Sequence, residues 1–244
     1  CAFFSRYVPK KIIYCSEKSI EFHENKHFYS KKKTALIENG FNDKIYFPSK
    51  YKKLNFRKKY KIKKTDIILG FAGRYTPEKN IDSLLFAFSK IIKEFDNIYL
   101  YMVGKNINRL NKDLVKNIKN LNLEKNVFLL NEQKNLLEFY NGIDLLLLTS
   151  HTESFPNVVA EAMLCSTPVL SSNAGCSKKI INDCGFIMNN NDYSSIFKNL
   201  KKFLKFFISK KKEWKILKKK SQLRIKKNYS IKKMANIYFE NWNF

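Results

Sequence analysis

The 244 residues carry 47 Lys and Arg against 21 Asp and Glu, a formal charge of +26, with 44% apolar and 15% aromatic residues. That apolar content supports a real core and excludes a largely disordered chain, and no apolar run approaches the length of about 18 that a membrane-spanning helix needs. Cys1, Cys15, Cys165, Cys176 and Cys184 form an odd set without a C-x-x-C pair, which argues against a disulfide framework and against a zinc site.

The excess charge points to a polyanionic partner or an anionic membrane surface. The abundance of Lys, Asn and Ile fits compositional drift in an AT-rich genome equally well, and composition leaves the two open. Cys1 stands where a Met would, and no charged, apolar, small-residue leader precedes the first strand-like run. A piece of a longer protein in a reducing, cytoplasmic compartment is therefore expected, with no secretory signal.

In chain order, residues 11–15 read as a strand, and Ser16 as the N-cap of a helix reaching about Phe28. His23 and His27 lie four apart on it, at metal-ligand spacing, but no acidic or Cys partner stands at a recognisable offset, so they read as helix surface. A short strand at 34–37 ends at Asn39-Gly40, a turn signal. The lysine-rich segment 49–66 reads as a connector or a basic helix beside the main domain.

From Ile67 the pattern becomes regular. Strand 67–72 is followed by a helix whose apolar positions Ile81, Leu84, Leu85, Phe88, Ile91, Ile92 and Phe95 recur at helical spacing. Strand 98–103, helix 110–121, strand 127–130, a short helix with Leu136, Leu137 and Tyr140, and strand 145–148 follow. Strand 167–170, strand 186–188 and a helix with Ile196, Leu200, Phe203 and Phe207 lead into the basic stretch 210–227. Ile231, Met234, Ala235, Tyr238 and Trp242 mark a last amphipathic helix. Such alternation predicts an α/β fold, a Rossmann-like doubly wound parallel sheet that binds ligands outside the carboxyl ends of its strands.

Two strand-to-helix loops carry candidate chemistry on that edge. In residues 151–163, Glu153 falls on the loop and Glu161 about one turn into the next helix, whose start is marked by Pro156 and Asn157. A helix N-terminus with its unpaired N–H groups suits a phosphate, and two carboxylates can accept hydrogen bonds from sugar hydroxyls. In the earlier loop, Gly73 permits close backbone approach, while Arg74 and Lys79 offer a forked and a point positive charge suited to a diphosphate.

Glu153 and Glu161 in ESFPNVVAEAM, followed by CSTPVLSSNAG, resemble the E-x7-E signature of family-four, GT-B-fold retaining glycosyltransferases. Upstream landmarks occur in the matching order: Glu38-Asn39-Gly40-Phe41, Phe47-Pro48, Gly73-Arg74, Lys79-Asn80, Val103-Gly104 and Asp144. The resemblance implies that Arg74 and Lys79 hold the donor diphosphate and neutralise the leaving group, that Glu161 accepts from ribose hydroxyls, and that Glu153 reaches a hydroxyl of the transferred sugar. It also implies backbone amides from Ser154, Phe155, Pro156 and Asn157 beside sugar and phosphate, and base contacts near Asn131 and Glu132, where a glycine is usual. Cys176 and Lys179 replace a Gly and a Glu that the family usually carries. The resemblance implies no cofactor and no metal, the cations taking the metal's electrostatic role.

The same resemblance assigns residues 1–48 to a remnant of an N-terminal acceptor domain with its linker, 49–228 to the nucleotide-sugar domain, and 229–244 to a helix packing back toward the first. It implies transfer of a sugar from a nucleoside diphosphate, UDP by frequency among relatives, to a glycan or lipid-linked acceptor in polysaccharide biosynthesis. The rival is a basic nucleic-acid-binding module without catalysis, against which most aromatics lie on apolar helical faces rather than in a stacking groove. Lysines of 201–220 beside Phe203, Phe207, Trp214 and Leu217 could lie on an anionic membrane, at its inner face.

Overall fold

The computed structural model describes residues 2–242, and Cys1 lies outside them. The chain opens with β1 (Ile12–Tyr14), α1 (Glu17–Glu21) and β2 (Thr34–Leu36), and β1 and β2 pair in parallel as a separate two-stranded sheet. Ser16 caps α1 by accepting the Ser19 N–H at 3.2 Å. The helix expected to reach Phe28 changes at Phe22–Lys26 into a π-type turn, and Phe28 takes a left-handed φ of 56°. His23 packs its ring on Tyr14 at 5.8 Å.

Of the two readings of 49–66, the structure takes the basic helix, α2 (Lys50–Lys59). Ser49 caps it through the Lys52 N–H at 3.2 Å, and Phe56, its one buried residue, sits among Tyr60, Tyr101 and Phe139. Then follow β3 (Ile67–Ala72), α3 (Ile81–Ile91), β4 (Ile98–Val103), α4 (Lys112–Asn120), β5 (Val127–Leu129), α5 (Leu137–Gly142) and β6 (Leu145–Leu148). The chain continues with α6 (Asn157–Leu164), β7 (Val169–Ser172), α7 (Ser177–Ile181), β8 (Phe186–Met188), α8 (Tyr193–Ser209), α9 (Lys211–Asn228) and α10 (Ile231–Trp242).

The six later strands form one parallel sheet in the order β5, β4, β3, β6, β7, β8. Strands buried on both faces need not alternate polar with apolar, which is why IILGFA and LLLL serve as β3 and β6. Their side chains nonetheless divide between two cores. Ile68, Ala72, Leu146 and Leu148 join α5, α6 and α7 on one face, and Leu69, Phe71, Leu145 and Leu147 join α3, α4 and α8 on the other. This is the doubly wound α/β architecture, and its strand order reverses between β3 and β6, the place where such folds hold ligands.

The basic stretch after α8 is helical throughout α9, with Trp214, Ser221 and Ile225 buried. Phe203 and Trp214 are core residues 5.4 Å apart, and Phe207 and Leu217 pack against the same core. The apolar stripe that could have entered a membrane is thus turned inward, leaving lysines outside. The chain end returns to the start: Phe41 donates its N–H to Tyr229 O at 2.8 Å and accepts the Ile231 N–H at 2.9 Å, and Lys11 Nζ reaches Asn241 Oδ1 at 2.9 Å.

Candidate functional site

The carboxyl edge of the sheet is knitted together by backbone before any side chain is considered. Gly73 N–H donates to Val103 O at 2.9 Å, Tyr75 N–H to Lys105 O at 3.0 Å, Gly104 N–H to Asn131 O at 3.1 Å, and Asn131 N–H to Ile107 O at 2.9 Å. Gly104 is the residue that permits this. Its φ is +145°, and a Cβ there would stand 2.0 Å from Gly73 O, whereas one on Gly73 would meet nothing closer than the Phe71 ring at 3.3 Å. The close approach expected of Gly73 therefore depends on its neighbour across the sheet. Asn131, standing where the resembled family has glycine, takes φ 63°. Asn tolerates that left-handed conformation better than most residues, and its Oδ1 accepts the Glu132 N–H at 2.8 Å.

The loop from 73 to 80 is aimed by the elements around it. Pro77–Lys79 form a 3-10 turn and Asn80 is left-handed at φ 53°. Asn80 Nδ2 donates to Asn191 O at 2.6 Å, Thr149 Oγ1 to Lys79 O at 3.0 Å, and His151 N–H to Glu78 O at 2.8 Å. These bonds tie the loop to the segments that follow β6 and β8 and bring Lys79 Nζ to 2.5 Å from Glu153 Oε1, with both side chains largely sheltered. Ser150 Oγ donates to the same oxygen at 2.7 Å. An ion pair thus stands between the loops after β3 and β6, where the strand order reverses. Arg74, beside it in sequence, is exposed and makes no hydrogen bond or ion pair among the described residues.

The motif loop after Glu153 is braced on two sides. Gly175 (φ +58°) lies so close that a Cβ there would be 2.5 Å from Glu153 O, and Cys176 N–H and Sγ both address Ser154 O at 3.3 Å. Ser154 Oγ meets Ser19 Oγ, Ser16 Oγ at 3.2 Å and Cys15 Sγ at 3.1 Å. Phe155 stacks on Phe41 (6.1 Å) and meets Tyr229 edge-on (5.9 Å). Pro156 is the residue before the helix rather than its first, and it has no N–H to offer, so amide donation expected of this run falls to Ser154, Phe155 and Asn157.

Glu161 stands apart from the Lys79–Glu153 pair. Its Oε2 accepts the Tyr140 hydroxyl at 2.8 Å. Burial raises its carboxyl above the ordinary 4.5, and the Tyr140 bond opposes that shift. With Asn157, Asn39, Phe41, Tyr46 and Met234 it lines a groove of about 300 Å³, and Asn39 Nδ2 donates to Asn157 Oδ1 at 2.8 Å. Two stations result, Lys79 with Glu153 and Glu161 with Asn157, joined by residues 154–156. Ser150 and Tyr140 complete them and were missed by sequence reasoning. A Tyr on a buried helical face does signal a need for a hydroxyl partner, but not which one.

Lys179, replacing the family's Glu, pairs with Glu17 at 2.9 Å and Glu38 at 3.1 Å, and the Glu17 bond is the main cause of its pKa rising to about 12. Cys15, Cys165, Cys176 and Cys184 are free, and burial pushes the Cys165 and Cys176 thiols up to about 12, so both are unreactive near neutrality. Phe88 and Phe203 are fully buried and Phe95 and Phe207 pack against the core, so these four rings serve the fold rather than a base-stacking surface.

The family model for glycosyl transferases group 1 matches residues 52–227. N-acetyl-alpha-D-glucosaminyl L-malate synthase of Bacillus anthracis is 28% identical over 167 residues, 68% of this chain and 42% of that protein. The capsular polysaccharide biosynthesis glycosyltransferase CapM of Staphylococcus aureus is 25% identical over 149 residues, 60% of this chain and 39% of CapM. The chain thus spans about two fifths of these relatives. Among solved structures, a glycosyltransferase from Rickettsia africae superposes with a TM-score of 0.87 at 20% identity, over 99% of this chain and 66% of that one. Anabaena HepE in complex with UDP-glucose gives 0.86 at 19%, over 100% and 66%. With the matched segment covering the whole six-stranded sheet, the chain belongs to the glycosyl transferases group 1 family.

Proposed function

We propose that this chain is the donor-binding half of a retaining, family-four, GT-B glycosyltransferase that moves a hexose from a UDP-sugar to a glycan or lipid-linked acceptor in polysaccharide biosynthesis. The observation that carries the reading is the Lys79–Glu153 pair at the strand-order reversal. Because the pair is sheltered, separating it without new partners is costly, and a donor offsets that by giving Lys79 a phosphate and Glu153 a sugar hydroxyl. Lys79 and exposed Arg74 then take the diphosphate and neutralise charge on the departing phosphate oxygen. Glu153 is left to accept from a hydroxyl of the transferred sugar, held in place by Ser150.

Glu161 accepts from the ribose hydroxyls, and residues near Asn131 and Glu132 border the base. The N-terminal end of α6, through Phe155 and Asn157, places amides beside phosphate and sugar. The mechanism proposed uses no cofactor and no metal, since fixed cations supply the electrostatic stabilisation of the leaving group. Residues 1–48 are proposed to belong to the acceptor domain and its linker, 49–228 to the donor domain, and 229–244 to the helix that closes back on the first. A cytoplasmic site of action, at the inner membrane face where the acceptor is lipid-linked, follows from this reading.

Support comes from UDP and UDP-glucose in complexes of HepE, a protein of the same fold. Calorimetry on the purified chain is the test. Losing a charge-assisted hydrogen bond to ribose costs about 1.5–3 kcal/mol, so Glu161→Ala weakens UDP roughly ten- to a hundred-fold. Unchanged affinity in a folded variant sinks the assignment.

A further inference from the structure

At the opposite, amino edge of the sheet lies a groove of about 1180 Å³, lined by eight Lys and Arg residues and three Asp. Its walls are α2 and α9, each presenting cations on one helical stripe: Lys53 and Arg57 four apart, and Lys211, Lys215 and Lys218 at successive turns. The three acids, of which Asp96 is exposed at the rim, only partly offset eight cations. Asp144 already serves both Lys53 (3.7 Å) and Arg57 (3.5 Å), and Asp66 Oδ2 is turned to the Lys63 N–H at 2.7 Å.

Lys218 is the telling residue. It is half-buried and makes no ion pair among the described residues, and burial together with nearby Lys53 lowers its pKa. The Asp144 charge opposes that shift but is already shared with Lys53 and Arg57, so Lys218 is a partly dehydrated cation without a carboxylate of its own, which is unfavourable unless something outside the fold supplies one. Three cations thus share one carboxylate at the inner end of a concave site. Fixed cations converging from two helices suit the several oxygens of a phosphate group rather than a single monovalent anion.

We propose that this groove is a second binding site, for a multiply charged phosphate group carried on a soluble molecule or on a lipid head. It lies at the edge of the sheet away from the Lys79–Glu153 pair and stands independently of the donor reading. The test is calorimetry with inorganic pyrophosphate, with saturating UDP present to fill the carboxyl edge. Co-sedimentation with phosphatidylcholine vesicles, with and without phosphatidic acid, runs alongside.

The double variant K211E/K215E weakens pyrophosphate by at least about ten-fold. K212E/K219E makes the same charge change at exposed positions outside the groove and has little effect. The same pattern seen with phosphatidic acid vesicles while pyrophosphate does not bind also supports the site, and identifies a lipid head as the source. Equal losses in the two double variants reduce the effect to bulk charge and overturn the proposal. So does the absence of binding to either probe, or binding confined to single-stranded oligonucleotide. Circular dichroism melts of both variants confirm that all comparisons are made between folded proteins.

Discussion

Glu161 is a half-buried carboxyl group with one hydroxyl partner, and that placement sets a conflict between stability and the proposed ligand binding. Burial raises its pKa in the fold, opposed by the bond from Tyr140, so in the window between the ordinary carboxyl value and the raised one the unfolded chain ionises first. Stability attributable to this group is therefore full below the ordinary value and falls as pH rises through the raised one. Glu161→Gln, which keeps an acceptor for Tyr140, should raise the melting temperature at neutral pH while weakening UDP. A melt that falls with UDP affinity intact contradicts the role. The proposed ribose contact runs the other way, since it needs the ionised form: UDP affinity should drop on acidification, and Tyr140→Phe, which removes the opposing bond, should move that drop to higher pH. A pH series of UDP titrations on both proteins reads this directly.

Arg74 separates charge from shape. It is exposed and bonded to nothing among the described residues, so Arg74→Ala should leave the fold within about 0.5 kcal/mol of wild type and weaken UDP far more than uridine. Equal losses for the two ligands would mean that the side chain does not serve the diphosphate.

At the level of elements, the backbone between β3, β4 and β5 depends on Gly104. Alanine there adds both a strained φ and a clash with Gly73 O, a cost of about 2–5 kcal/mol when strain and overpacking are combined. Gly73→Ala, which meets only the Phe71 ring, should cost far less. Urea denaturation of the pair separates them, and equal stabilities would refute the account of this edge. The strands and the helices α3 and α8 were legible because their apolar residues fall at the periods of buried elements. By contrast, α2 was legible only as one of two alternatives and α9 not as a helix, since each is rich in Lys and buries few residues, Phe56 in one and Trp214, Ser221 and Ile225 in the other. At the site, Glu153, Lys79 and Glu161 could be singled out from loop position and residue type. Their partners could not, because the Tyr140–Glu161 and Lys79–Glu153 contacts join residues 21 and 74 positions apart and leave no local pattern.

For the molecule as a whole, the inward-turned stripe of Phe203 and Trp214 bears on how residues 201–220 would meet a membrane. With those rings in the core, attachment through this segment is expected to rest mainly on its lysines and to weaken strongly by a few hundred millimolar salt, as screened charges do. Persistent binding to neutral vesicles at high salt would instead require apolar insertion. The same arrangement places two basic regions at opposite edges of one sheet, the carboxyl edge with Lys79 and Glu153 and the amino edge with the α2–α9 groove. An amide chemical-shift titration with UDP distinguishes them in a single measurement. Saturable shifts should cluster in residues 73–80, 104–107, 131–132 and 153–161, with the amides of 53–67 and 208–218 unmoved until the first set is complete. Absence of saturable shifts at the carboxyl edge, or a first response confined to the amino edge, would contradict the assignment of the nucleotide site.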